Sequence, residues 1–174
     1  MKSIFLVLAL IPLLAIGQGK TDLEKNLLND SYIKSTSSIT LEGALKLSEF
    51  ALQLASELDK NVSIAVLDSN GSILLLLKGN EVGVHNTEAS RRKAYTALST
   101  KTPSFELMQK AANDPTANNF NTLPELLLLG GGVPIWNQNE IVGSIGISGA
   151  GGGFNDHNLA KLAIEKLGFS TSKE

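Results

Sequence analysis

Cysteine is absent from all 174 residues. That excludes a disulfide framework, a thiolate metal site and a cysteine nucleophile. Aromatic side chains make up only 5%, and histidine occurs twice, at His85 and His157. Few rings are available for stacking and few imidazoles for metal or proton chemistry. Neither sign of charge dominates: 15 Lys and Arg stand against 17 Asp and Glu, a net charge of −2. No nucleic-acid partner is expected from such a balance. The metal-ligand spacings HExxH, H-x-x-x-H and the EF-hand loop are missing as well. The segment GSIGISG at 143–149 is not the G-x-S-x-G nucleophile elbow, and neither histidine stands in hydrolase order.

Long apolar runs are scarce too, and the longest sits in residues 1–17, MKSIFLVLALIPLLAIG. Lys2 gives a short positive start, and Ala15-Ile16-Gly17 places small residues where a signal peptidase reads. The run is shorter than the roughly 20 residues a membrane helix needs. The reading is a cleavable signal peptide, with export to the periplasm or beyond and no stable membrane anchor. Residues 18–39 are polar and mixed, with four hydroxyl residues at 35–38, and read as a flexible leader. The domain proper is expected at 40–170.

What is present is aliphatic: 43% of residues are hydrophobic. Ala44, Leu47, Ala51, Leu54, Ala55 and Leu58 recur at helical spacing behind the N-cap candidate Thr40. Val62–Leu67 and Ser72–Leu77 flank Asp68-Ser69-Asn70-Gly71, a hairpin turn signal. The unbroken Leu74–Leu77 run predicts a strand buried on both faces, one under a helix and the other under a neighbouring subunit. A second helix is expected over Glu88–Leu98, capped by Asn86 or Thr87. A third opens at Thr102-Pro103, a capping hydroxyl followed by proline at the first helical position, runs to about Ala112 and stops before Asp114-Pro115. Residues 115–123 read as irregular. Val133–Trp136 and Ile141–Ser148 form a second hairpin, and Asn155 caps a last helix, Asp156–Leu167, closed by Gly168. Tight hairpins imply antiparallel pairing. The fold class is α+β: helices on one antiparallel sheet of four to five strands.

Nine of the 16 glycines fall between Gly130 and Gly153. Glycine lets backbone approach a ligand or another backbone closely, so a glycine-walled site is expected here. A dinucleotide fingerprint is not expected, because it needs a parallel βαβ unit and this loop follows an antiparallel hairpin. Arg91, Arg92 and Lys93 are adjacent and cannot share one helix face. One or two of them could meet an anion while the others stay solvated. Lys93 and Asp156 are the acid/base candidates for a small-carboxylate site. Ser144, Ser148 and Glu140 are further polar residues of this half.

Three segments together resemble the GlcG/HbpS-like family of haem-binding domains, related to the C-terminal domain of the PduO type of adenosyltransferase. They are GVHNTEASRRKAYTALSTKTPS (83–104), LLLLGGGVPIWNQNEIVGSIGISGAGGGFND (126–156) and the hairpin VSIAVLDSNGSILLLLKGN (62–80). The matching positions are Lys93, Ala94 and Thr96; Gly130, Gly131, Gly132 and Pro134; and Gly143, Gly146, Ser148, Gly149 and Asp156, with His85 where relatives often carry a histidine. The loop AGGGFND departs from the pattern, since relatives often have a proline or a shorter polar stretch there. The resemblance implies an α/β/α sandwich, a homo-oligomer and haem or iron as ligand. It makes His85 the candidate metal ligand and Arg91 and Arg92 candidate partners of the propionates. Lys93, Thr96, Gly131, Gly132 and Gly149 complete the candidate cofactor-binding set. With no thiolate, the iron would be held by His85, His157 or an oxygen ligand. Three functions stay open: a haem-binding module, a small-carboxylate binder or enzyme, and a purely structural oligomer. Binding is preferred over catalysis.

Overall fold

The computed structural model describes residues 32–173. The expected signal segment 1–17 and most of the expected leader lie outside them. The chain divides into Met1–Ser35 and Thr36–Glu174, and the second unit carries the fold. Its elements are α1 (Leu41–Glu57), β1 (Ser63–Asp68), β2 (Ile73–Lys78), α2 (His85–Thr100), α3 (Ser104–Asn113), a 3-10 segment (Pro115–Thr122), β3 (Gly132–Asn137), β4 (Glu140–Ser148) and α4 (Gly153–Leu167). The strands form one sheet in the order β2-β1-β4-β3, antiparallel throughout. Four strands and flanking helices make the α+β sandwich expected from the sequence.

Strand alternation divides the sheet into two faces. Ile64, Val66, Val133, Ile135, Ile145 and Ile147 point to one face and form the main core. The apolar stripe of α1 (Ala44, Leu47, Ala51, Ala55) and that of α4 (Leu159, Ala160, Ala163, Ile164) cover it. Thr40 caps α1 as expected, its hydroxyl accepting from the Gly43 amide at 3.1 Å. Ala65 and Leu67 point the other way and pack on Ala94 of α2. On that face Ser144 donates to the Ala94 carbonyl at 2.9 Å. The segment before α1 packs against β4: Ile39 is buried and donates its amide to the Val142 carbonyl at 2.7 Å.

Several expectations need correction. β2 is an edge strand, and within this one chain it is only partly covered; Ile73 is 50% and Leu76 41% exposed, on a strand for which a neighbouring subunit is the expected second cover. Leu74, Leu75 and Leu77 only pack partly against the core. The sequence run shows apolarity, but its position at the sheet edge decides burial. α2 begins at His85, earlier than Glu88, with Val84 as cap and no side-chain cap bond. The expected cap groups have tertiary partners: Asn86 accepts from Ser148 at 2.8 Å, and the Thr87 hydroxyl lies 3.4 Å from that of Ser63. Pro103 is the cap of α3 and makes no side-chain cap bond, while Thr102 bonds the Thr100 carbonyl instead. Residues 115–122 are a 3-10 turn capped by Asp114. α4 begins at Gly153 rather than Asp156, with Gly152 as cap; Asn155 lies inside the helix and donates its side-chain amide to the Ala150 carbonyl at 3.2 Å. Gly168 closes α4 in the left-handed region as expected.

Candidate ligand site

α2 lies unusually close to β3 and β4 because glycines replace side chains beneath it. A Cβ on Gly132 would overlap the Lys93 carbonyl, and one on Gly146 would overlap the Ser90 carbonyl. This approach drives the Lys93 side chain between the sheet and α4, where it is 3% exposed. Its ammonium donates to Asp156 Oδ2 at 2.7 Å, to the Ile147 carbonyl at 3.1 Å and to Ser148 Oγ at 3.1 Å. A lysine ammonium has three protons, and all three are committed. Asp156, itself buried, uses Oδ1 to accept from the Ala150 amide at 2.8 Å. The pair therefore ties α2, the end of β4, the glycine loop and α4 to one point. The network holds these elements at a fixed separation.

A half-open cavity of about 380 Å³ opens beside this network. One wall is a single face of α2, with His85, Asn86, Ala89 and Lys93. Opposing backbone comes from Gly149 and Gly151–Gly153, which present no side chains. Met108, Leu129, Ser148 and Asp156 complete the lining. Gly149, Gly151 and Gly152 have φ of 120°, 91° and 140°, a region L side chains rarely adopt, so glycine is required to shape this wall. His85 is exposed and makes no hydrogen bond among the described residues, which leaves its imidazole free for a ligand.

The cavity thus brings together five residues singled out in the sequence: His85, Lys93, Ser148, Gly149 and Asp156. Others stand outside it. Arg91 reaches away to Glu88 at 2.7 Å and Glu125 at 2.8 Å, and these two carboxylates raise the basicity of its guanidinium. Glu88 is correspondingly held below the usual carboxylate range by its bond to Arg91. Arg92 donates to the Leu126 carbonyl at 2.7 Å. Thr96 is buried; it donates to the Arg92 carbonyl and accepts from the Leu127 amide at 2.8 Å, anchoring the loop before the glycines. Gly131 and Gly132 allow close packing against Lys93. Ser144 fixes α2 to the sheet, and Glu140 accepts from Ser37 at 2.9 Å far from the cavity. Sequence reading missed Ala89, Met108 and Leu129 as lining. The steps from His85 to Ala89 to Lys93 are four residues each, a helical face that becomes legible once α2 starts at His85.

His157 lies one residue beyond the ion pair but faces elsewhere. Its ring stacks on Phe105 of α3 at 5.3 Å, and Phe105 in turn meets Phe154 at 5.8 Å. Its Nδ1 is buried without a partner. Burial, with the positive charge of Lys161 adding to it, lowers its pKa from 6.5. A histidine with a lowered folded pKa contributes stability above the unfolded value and loses it as pH falls through that value towards the folded one. Thermal melts from pH 7.5 to 5 should show Tm falling below about pH 6.5, with a shallower fall in His157→Gln. Equal slopes would remove His157 as the cause.

Among the described residues no cluster of His, Asp and Glu could hold a bare metal ion, and no helix is long and apolar enough to cross a membrane. Residues 39–165 match the family model described as haem degrading protein HbpS-like. The crystal structure of HbpS superposes with a TM-score of 0.71 at 34% identity, covering 78% of this chain and 94% of that one. The PduOC–haem complex shares the fold, with a TM-score of 0.71 at 24% identity over 78% of this chain and 99% of that one. The corrinoid adenosyltransferase PduO of Citrobacter freundii is 28% identical over 138 residues, 77% of this chain and 40% of that protein.

Proposed function

Because this chain belongs to the HbpS-like family, we propose that it is an exported haem-binding protein that takes up its ligand in the cavity between α2 and the glycine loop. The free imidazole of His85 at the mouth of that cavity is the observation that carries the reading. The donor set fits: one unpaired imidazole, apolar contacts from Ala89, Met108 and Leu129, and a side-chain-free glycine wall against which a flat ring can lie. His85 would hold the iron, and the wall and apolar residues would hold the ring. When bound, the group supplies a redox-active iron. The Lys93–Asp156 pair fixes α2 and the glycine wall at a set separation. The cavity is near the small end of the range for ligand sites, so a tetrapyrrole would leave part of its ring in the open mouth. Sensing, storage and scavenging of haem or iron all fit such a half-exposed site. Export rests on the composition of residues 1–17. A homo-oligomer is supported by apolar side chains that the described chain leaves bare, namely Leu41, Leu45 and Leu52 on α1 and Ile73 and Leu76 on β2.

The same modest volume supports a second reading, a small-carboxylate ligand held against the glycine loop. Titration with haemin separates the two. The wild type should shift the Soret band, and His85→Ala should lose about tenfold or more in affinity, the scale of losing one strong directed ligand. No shift in the wild type would overturn the haem reading.

A further inference from the structure

We infer that Lys60 supplies the positive charge that recognises a carboxylate on the cavity's ligand, in place of Arg91 and Arg92; the inference rests on the ligand reading above. Haem and small acids share this chemistry, since each presents a carboxylate. A cation near the cavity mouth would pair with it, and the three basic residues of α2 do not supply one. Arg91 is held by Glu88 and Glu125, Arg92 by the Leu126 carbonyl, and Lys93 by its three acceptors.

Lys60 lies in the turn between α1 and β1, and that turn abuts the glycine loop at two points. The Lys60 Cε is 3.9 Å from where a Cβ on Gly151 would stand, and the Asn61 carbonyl is 3.0 Å from the corresponding point on Gly149. Both glycines line the cavity. The Lys60 amide donates to the Ala55 carbonyl at 2.9 Å, so the backbone is anchored while the ammonium is not. Lys60 is exposed and makes no ion pair or side-chain hydrogen bond among the described residues. A lysine stem of four carbons gives the ammonium enough reach to meet a carboxylate in the mouth. Because the pair forms in solvent, the effect is modest and screened by salt.

The test titrates haemin into wild type, Lys60→Gln, Lys60→Glu and Lys60→Arg at low and high salt, and repeats this with haem dimethyl ester, whose carboxylates are capped. A melt series with lactate runs in parallel. Lys60→Gln should weaken haemin binding about threefold and Lys60→Glu about tenfold at low salt, with Lys60→Arg close to wild type. The ester should bind all four alike, a result that a general structural defect would not produce. If wild type and Lys60→Glu bind haemin equally, the role of Lys60 is overturned and the haem reading stands. If wild type ignores haemin but is stabilised by lactate, and Lys60→Glu loses that stabilisation, the haem reading fails and carboxylate recognition by Lys60 holds. Indifference to both ligands overturns both.

Discussion

Lys93→Ala should lose about 3–5 kcal/mol of folding stability in urea denaturation, because it leaves Asp156 buried without its partner. The two side chains are 3% and 5% exposed and 2.7 Å apart, so solvent screens the pair little. Removing the lysine also strands acceptors: Ile147 O and Ser148 Oγ each lose a donor. Asp156→Ala should cost a similar amount, leaving the ammonium with two neutral acceptors and releasing the Ala150 amide. Replacing both, as Lys93→Met with Asp156→Leu, should recover much of the loss, since a buried ion pair exchanged for apolar groups of similar size is often close to neutral. The signature is therefore a strong positive coupling in the double-mutant cycle, with the midpoint shifting and the m-value unchanged. Single variants costing under about 1 kcal/mol would place the pair in the range of solvent-exposed ion pairs and remove it as the strut of the site.

That strut was beyond reach of sequence spacing. Lys93 and Asp156 are 63 positions apart, and local reading offered only one base among three and one acid near a helix start. What made the pairing is the glycine row under α2, and the sequence did display that row as a concentration of glycines. Its use was ambiguous: some glycines admit backbone to backbone, as Gly132 and Gly146 do, and others shape the open wall, as Gly151 and Gly152 do. Composition cannot separate these uses, because only the fold says what stands above each Cα. Helix starts failed for a related reason. Asn86, Thr102 and Asn155 have the chemistry of N-caps, but each bonds a partner elsewhere, all three within a few residues and Asn86 also across the fold to Ser148. Where no such competitor exists, as at Thr40, the cap is where local chemistry puts it. The strands and their pairing were legible because hairpin turns and alternation are local signals. The edge position of β2 was not, since it depends on which strand lies beside β1.

The second large effect should come from one methyl group. Gly146 of β4 pairs with Ala65 of β1 on one side and Gly132 of β3 on the other, so a row of minimal side chains crosses the sheet beneath α2. A Cβ on Gly146 would overlap the Ser90 carbonyl and stand 2.6 Å from the Ala94 amide nitrogen. Both obstacles are helix backbone, which cannot rotate aside as a side chain can. Gly146→Ala must therefore lift α2 from the sheet, and that movement withdraws Lys93 from Asp156, the Ala94 carbonyl from Ser144 and His85 from the cavity wall. Overpacking usually costs about 1–3 kcal/mol, and the coupled loss of a buried ion pair should bring this variant to about 3 kcal/mol or more. Gly152→Ala provides the contrast. No atom lies within 4 Å of its Cβ position, so only the strain of a φ of 140° opposes it, at about 1–3 kcal/mol. Urea denaturation ranks the two, and haemin titration reads the cavity: Gly146→Ala should lose both stability and binding. Wild-type stability in Gly146→Ala would mean that α2 does not rest on the glycine row, and the explanation of how Lys93 becomes buried would fall with it.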